Sequence, residues 1–250
     1  MEKLKLGAVS YLNTKPLLYG IERLPVREKL EILVDHPANI AQMLLDGEID
    51  LGLVPVAIIP RMKNAFIASD YCIAANGPVS SVCLFSELPM ADVQKVLLDY
   101  QSKTSVNLAR ILLKKHWGKE VDFEDAEENY QQKIKDKTAG LVIGDRAFQQ
   151  RLVSPFIYDL AEAWKAYTGL PFVFATWVSN KPLTAEFIEQ FNEANAFGLS
   201  HLPEIIKENP YPHYDLHTYY TKNICYKLDD DMRSGMKRFL LEMELLNPEI

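Results

Sequence analysis

The sequence has few cysteines, and their spacing does not suit a disulfide framework. Only three occur among 250 residues, Cys72, Cys83 and Cys225, and no two of them form a Cys-x-x-Cys pair. An odd number without that spacing argues against a disulfide-rich scaffold and against a zinc knuckle. We therefore expect three reduced thiols that are partly buried.

Long apolar runs are also lacking. The longest, such as residues 170–175, fall far short of the roughly 20 residues that a membrane-spanning helix needs. The first five residues alternate charged and apolar side chains and lead directly into a strand-like pattern, unlike the basic and then apolar segments of a secretory signal. We expect no membrane partner and a cytoplasmic location.

A basic surface is not expected either, because the formal net charge is −7. Proteins that bind nucleic acid neutralise phosphates with clustered lysine and arginine, so nucleic acid is not an expected partner. If the ligand is an anion, local dipoles must hold it.

The common catalytic signatures GxSxG, GxxxxGK[ST], GxGxxG and HExxH are absent. His213 and His217 have the i, i+4 spacing of a metal-binding pair. They lie in a loop rich in proline and tyrosine, where we expect them to be solvated or packed. The sequence predicts no metal site and shows no cofactor motif.

The sequence does contain an order of elements that occurs twice. Strand patterns separated by helical patterns occur at residues 4–10, 30–34 and 50–54, and again at residues 95–99, 121–123 and 139–143. Strands alternating with helices predict an α/β fold with parallel sheets. Because the residues themselves do not repeat, this is a repeat of architecture.

Three further extended stretches are suited to cross between the two halves: residues 66–74, 79–85 and 172–178. The first two resemble antiparallel strands around an Asn-Gly-Pro turn. We predict a first lobe of residues 1–86 and 178–250, and a second lobe of residues 87–177 inserted into it. A ligand cleft is expected at the crossings, beyond the carboxyl ends of the parallel strands.

The segment GAVSYLNTKPL, residues 7–17, places Ser10 and Asn13 on a turn between a strand and a helix. Free N–H groups and the positive end of the helix dipole meet at such a turn, which favours a carboxylate ligand. The alternative is an ordinary helix cap by Asn13 or Thr14, with Pro16 in the first turn, and on local grounds this is the commoner arrangement.

A second turn of the same kind, QSKTS at residues 101–105, again joins a strand to a helix. Thr104 and Ser105 are candidate carboxylate ligands, unless they cap their own helix. Two such turns facing each other across a cleft suit a ligand with two separated carboxylates.

Two other segments offer polar groups to the cleft. Ser80 and Ser81 are adjacent, so only one of them can face the ligand from an extended strand. Gly144 and Asp145 follow a buried strand pattern and offer a backbone N–H and a carboxylate. Asp145 either points into the cleft or caps the helix that follows.

Four segments together resemble a known family. They are GAVSYLNTKPL, GPVSSVCLFS at residues 77–86, LVIGDRA at residues 141–147, and DLAEAWKAYTGLPFVFATW at residues 159–177. In this order, and over nearly the whole chain, they resemble the chorismate dehydratase family of the futalosine route to menaquinone. DGEIDLGLVP at residues 46–55 is a looser signal, shared across the type 2 periplasmic-binding-protein fold to which that family belongs.

The resemblance implies a two-lobed fold and a lyase that removes water from chorismate to give 3-[(1-carboxyvinyl)oxy]benzoate, without a metal or organic cofactor. Asn13 and Ser81 align with the active-site Asn and Ser of the family, which favours Ser81 over Ser80. The expected substrate-binding residues are Ser10, Thr104, Ser105, Gly144 and Asp145. The proton acceptor is either the enolpyruvyl carboxylate of the substrate or Asp145.

Two other functions remain open. The same fold mostly serves non-enzymatic binding proteins of transport or sensing. The related 1,4-dihydroxy-6-naphthoate synthase shares the fold, but would be expected to begin with a motif such as SPCPNDT where this chain has VSYLNTK. For each function we expect a small-molecule ligand and a monomer or homodimer.

Overall fold

Parallel strands joined by helices build each half of the computed structural model, which describes residues 3–246. The strands are β1 (Leu4–Val9), β2 (Leu30–Asp35), β3 (Leu51–Pro55), β4 (Phe66–Ala75), β5 (Val82–Ser86), β6 (Lys95–Leu98), β7 (Asp122–Asp125), β8 (Thr138–Ile143), β9 (Phe156–Asp159), β10 (Phe172–Ser179) and β11 (Cys225–Lys227). The α-helices are α1 (Lys15–Ile21), α2 (Pro37–Leu45), α3 (Lys103–Lys115), α4 (Asp145–Arg151), α5 (Leu160–Thr168), α6 (Ala185–Leu199), α7 (Leu202–Glu208), α8 (Leu216–Thr218) and α9 (Asp230–Leu246). In this part of the chain, no helix combines the length and the apolar character needed to cross a membrane.

The strands form two sheets with a common arrangement. The six-stranded sheet has the order β11-β4-β10-β3-β1-β2, and the five-stranded sheet has the order β7-β6-β8-β5-β9. In each, a central strand (β1 or β6) lies between two parallel neighbours, and an antiparallel strand (β10 or β5) follows on one side. We call the six-stranded sheet with α1, α2 and α6–α9 lobe 1, and the five-stranded sheet with α3–α5 lobe 2. The predicted two-lobed α/β fold is confirmed.

The sheets divide the chain at other positions than those expected. Val82–Ser86 pairs with β8 and β9 in lobe 2, so the predicted hairpin with Phe66–Ala75 does not form. Phe172–Ser179 pairs with β3 and β4 in lobe 1. The chain therefore enters lobe 2 before β5 and returns to lobe 1 before β10. Both changes come earlier in the sequence than the predicted boundaries after residues 86 and 177. Both strands are buried almost throughout, so their sequences lack the alternation that would assign them to a sheet.

Helices α1 and α6 pack very closely because each has a glycine at their contact. A Cβ atom on Gly20 would come within 1.9 Å of the Ala194 carbonyl oxygen, and one on Gly198 within 1.7 Å of the Pro16 carbonyl oxygen. These separations are far below van der Waals contact. The close approach holds α1, and with it the end of the turn after β1, against α6.

We predict that Gly198→Ala lowers the free energy of unfolding by about 2–3 kcal/mol, because the new methyl group must push α1 away from α6. Gly47→Ala is the matched control: nothing lies within 4 Å of its Cβ, and only its φ of 73° is unfavourable to alanine. It should cost about 1 kcal/mol. Urea unfolding of both variants measures the difference, and equal losses would contradict the close packing.

Candidate active site

A cavity between the lobes lies beyond the carboxyl ends of β1, β3 and β8. Its empty space is about 520 Å³, part of which is open to solvent. Six polar side chains line it, those of Tyr11, Asn13, Thr14, Ser81, Ser102 and Ser105. The rest of the lining is apolar or glycine, and none of the described residues that line it has a charged side chain. The cavity can therefore bind polar groups only through neutral donors and acceptors.

The turn after β1 brings Asn13 to the cavity. A 3-10 turn (Leu12–Thr14) leads into α1, and neither Asn13 nor Thr14 caps that helix through its side chain. The Asn13 carbonyl oxygen Oδ1 instead accepts a hydrogen bond from the Thr14 hydroxyl at 3.3 Å. Ser10, in contrast, is exposed and does not line the cavity, so the structure does not place it with the other predicted site residues.

The turn after β6 contributes Ser102 and Ser105. Ser102 caps α3, because its Oγ accepts the Ser105 N–H at 3.0 Å, and both side chains line the cavity. Thr104 points elsewhere: its Oγ1 accepts the N–H of Ala57 in lobe 1 at 3.1 Å. Thr104 therefore links the lobes and does not line the cavity, whereas Ser102, which was not predicted, does.

Of the two adjacent serines, Ser81 lines the cavity. Ser80 has a positive φ of 65°, and its Oγ is hydrogen-bonded to the Tyr214 hydroxyl at 3.0 Å, which also contacts Asn223 Oδ1 at 3.0 Å. The Ser81 Oγ accepts from the Tyr219 hydroxyl at 2.8 Å. Each serine is thus held by a different tyrosine, and only Ser81 faces the ligand space.

Gly144 lines the cavity at the point where the lobes touch. Its φ of 64° favours glycine, and a Cβ atom there would come within 2.8–2.9 Å of the Tyr11 ring. Its N–H donates to the Ser81 carbonyl oxygen at 2.8 Å. The Gly144 N–H is therefore already used within lobe 2, and the missing side chain leaves room for Tyr11.

Asp145 adopts neither of the two predicted orientations. Its carboxylate accepts the Leu12 N–H of lobe 1 at 3.2 and 3.3 Å, it does not line the cavity, and its side chain does not cap α4. Burial raises the pKa of this carboxyl to about 6, although the Leu12 N–H and the charge of Lys15 oppose the increase. Asp145 is thus an acidic group between the lobes and outside the cavity.

A buried ionic cluster that was not predicted supports Tyr11 from lobe 2. The Tyr11 hydroxyl donates to Gln101 Oε1, and the same oxygen accepts from Arg146 Nη2 at 2.8 Å. Arg146 Nη2 also donates to both oxygens of Asp99, at 2.8 and 3.0 Å. Burial raises the pKa of the Tyr11 hydroxyl, which favours its protonated form. The only sequence signal for this cluster was Arg146 within LVIGDRA.

A second unpredicted feature is the tyrosine segment, which we define as residues 211–226 in lobe 1. Five of the twelve tyrosines of the chain fall in these sixteen residues. Their hydroxyls form hydrogen bonds with five oxygens around the cavity: the Asp145 and Leu12 carbonyl oxygens, Ser80 Oγ, Ser81 Oγ and the Asn13 carbonyl oxygen. The segment includes a π-helical turn (Tyr219–Asn223), a feature often found at functional sites. The clustering of tyrosine was its signal in the sequence.

We searched residues 3–246 for side chains that could together bind a metal ion. These residues contain no group of three or more histidine, cysteine and acidic side chains that could hold a metal ion. His213 and His217 are both exposed.

Solved structures with this architecture define the class of protein. A protein from Archaeoglobus fulgidus gives a TM-score of 0.70 at 15% identity, covering 99% of this chain and 98% of its own. A Candida albicans protein described as having the generic periplasmic binding protein fold gives a TM-score of 0.64 at 16% identity, and the match covers 99% of this chain and 92% of that protein. The periplasmic aliphatic sulphonate binding protein of Escherichia coli gives a TM-score of 0.63 at 17% identity, and the match covers 99% of this chain and 93% of that protein. The chain therefore has the two-lobed periplasmic-binding-protein fold.

The sequence comparison is more specific than the fold. A family model described as menaquinone biosynthesis matches residues 4–244, and the chain belongs to this family. The chorismate dehydratase of Thermus thermophilus is 29% identical over 257 residues, covering 94% of this chain and 93% of that protein. The chorismate dehydratase of Campylobacter jejuni is 26% identical over 253 residues, covering 96% of this chain and 98% of that protein.

We predict that Asp145→Asn removes a pH dependence from the stability of the protein. An acid whose pKa rises from 3.8 to about 6 on folding binds more protons when folded, so stability decreases as pH rises through this interval. Asparagine keeps an oxygen acceptor for the Leu12 N–H but has no charge to bury. Relative to wild type, the variant should gain up to about 3 kcal/mol between pH 4 and pH 6. Urea unfolding across this range measures the gain, and a constant difference would contradict the buried charge.

Proposed function

We propose that the chain is a chorismate dehydratase, a carbon-oxygen lyase that converts chorismate to 3-[(1-carboxyvinyl)oxy]benzoate and water. The observation that supports this most strongly is the match to two chorismate dehydratases over nearly the full length of all three chains. The menaquinone biosynthesis family agrees with it. On the sequence prediction, the reaction takes place in the cytoplasm.

The chemistry of the reaction suits a cavity without charged side chains. Chorismate loses its ring hydroxyl together with the hydrogen on the neighbouring carbon that bears the ether oxygen, and the ring becomes aromatic. Aromatisation supplies much of the driving force, so the protein mainly has to orient the substrate and place dipoles at the reacting groups. Asn13 and Ser81 line the cavity from opposite lobes and can do both.

The two carboxylates of chorismate would be bound by neutral donors. Ser102 and Ser105 lie at the amino end of α3, where the helix dipole favours an anion. Asn13 and Ser81 offer an amide and a hydroxyl from the other side of the cavity. Substrate contact through Ser10, Thr104 and the Asp145 side chain is not part of this proposal, because they do not line the cavity.

The enolpyruvyl carboxylate of the substrate is the proton acceptor in this proposal. The acidic residue predicted as the alternative, Asp145, accepts the Leu12 N–H and does not line the cavity. A base within the substrate needs no charged protein group, only a fixed orientation relative to the carbon that loses its proton.

A carboxylate-binding protein of transport or sensing is the second candidate, since its fold would be the same. Solved structures of transport proteins share the fold at only 14–17% identity, which does not extend to their ligands. Turnover separates the candidates: we expect the purified protein to convert chorismate to an aromatic product, followed by ultraviolet absorbance and identified by mass spectrometry. Binding of chorismate without conversion would favour the second candidate, and neither binding nor conversion would overturn both.

We predict that Asn13→Ala and Ser81→Ala each lower kcat by at least about 100-fold, because each removes a donor at the reacting groups. The matched control is Ser86→Ala at the other end of β5, where the buried Ser86 Oγ accepts only the Leu88 N–H among the described residues. The control should retain kcat within about twofold, since it lies outside the cavity lining. Full activity in either site variant would refute the role of that residue.

A further inference from the structure

One hydroxyl joins the two groups that are proposed to touch the substrate. Tyr219 belongs to the tyrosine segment, is fully buried, and does not itself line the cavity. Its hydroxyl donates to Ser81 Oγ at 2.8 Å. The side chain of Asn13 is also within hydrogen-bonding reach of this hydroxyl. Tyr219 thus connects Asn13 of lobe 1 with Ser81 of lobe 2.

The groups next to Tyr219 favour one direction for the hydrogen bonds around it. The Thr14 hydroxyl donates to Asn13 Oδ1 at 3.3 Å, which leaves the NH₂ group of that amide to face Tyr219. An amide NH₂ group can only donate, so we assign the single proton of the Tyr219 hydroxyl to Ser81 Oγ, 2.8 Å away. Burial raises the pKa of Tyr219 well above its ordinary value, so this proton stays in place across the working pH range.

The direction of these bonds determines what Ser81 can do. Because Ser81 Oγ accepts from Tyr219, its own proton must be donated to another group. Within residues 3–246, the Oγ makes no other hydrogen bond in the structure, and the side chain lines the cavity. The free proton is therefore available to a ligand oxygen.

We propose that Tyr219 is a positioning residue that turns Ser81 into a hydrogen-bond donor toward the substrate. This inference deepens the proposed dehydratase function and, for its kinetic consequence, rests on it. A donor is what the reaction needs at this position, because the departing hydroxyl gains negative charge as its bond to the ring breaks. An acceptor would oppose that charge.

Tyr219→Phe tests the proposal with little change in packing, since the ring keeps its edge contact with Phe148 at a centroid distance of 4.9 Å. We expect kcat to fall about 10- to 100-fold, as for a misplaced catalytic group, with KM changed by less than about threefold. In a Ser81→Ala background, where no serine proton is left to orient, Tyr219→Phe should lower kcat by at most about threefold further.

Tyr214→Phe is the matched control. Tyr214 lies in the same segment and its hydroxyl also forms a hydrogen bond with a serine, Ser80, but Ser80 does not line the cavity. Its kcat should stay within about twofold of wild type. Equal kcat in wild type and Tyr219→Phe, or independent effects of Tyr219→Phe and Ser81→Ala, would overturn the proposal while leaving the dehydratase function standing.

A second measurement does not depend on turnover. With ¹³C at the ζ carbon of tyrosine, the Tyr219 resonance is assigned by its loss in Tyr219→Phe. It should move in Ser81→Ala, because the hydroxyl loses its acceptor, and should stay in place in Ser86→Ala. An unmoved resonance in Ser81→Ala would show that Tyr219 does not donate to Ser81 and would overturn the proposal, even if the protein does not convert chorismate.

Discussion

The contact between the Leu12 N–H and the Asp145 carboxylate brings together two turns from different sheets, and the cavity depends on this meeting. Each turn starts a helix at the end of a parallel strand, so each exposes backbone donors there. Around the contact, the Tyr11 ring packs on Gly144 and its hydroxyl reaches Gln101. The space enclosed between the turns is therefore fixed by both lobes at once.

The neutral lining follows from where the charges of the region lie. The Asp99 carboxylate and the Arg146 guanidinium neutralise each other within lobe 2, and Asp145 is held between the lobes. What remains for a ligand is a set of hydroxyls, one amide and a helix terminus. Such donors are fixed in place before the substrate binds, so they need little reorganisation as charge moves during the reaction. A lysine or arginine in the cavity would bind a dianion more strongly, but would also pair with the carboxylate that is proposed to accept the proton.

The sequence predicted the parts of the site that depend on short segments. A strand followed by a polar turn and a helix is a local pattern, and Asn13, Ser81, Ser105 and Gly144 all line the cavity. The sequence did not predict the orientation of Asp145, whose partner is 133 residues away, or the tyrosine that holds Ser81 from 138 residues away. The sequence also did not predict which sheets β5 and β10 join. The pairing of distant strands leaves no local pattern in a strand that is buried on both faces.

A crystal structure with 3-[(1-carboxyvinyl)oxy]benzoate bound would show whether neutral groups of both lobes bind a dicarboxylate between them. We expect the product to lie in the cavity, with one carboxylate within hydrogen-bonding distance of Ser105 or the amino end of α3. Asn13 and Ser81 should contact the remaining oxygens of the product. A product bound outside the cavity, or carboxylates paired with lysine or arginine side chains, would show that these neutral groups do not bind the dicarboxylate.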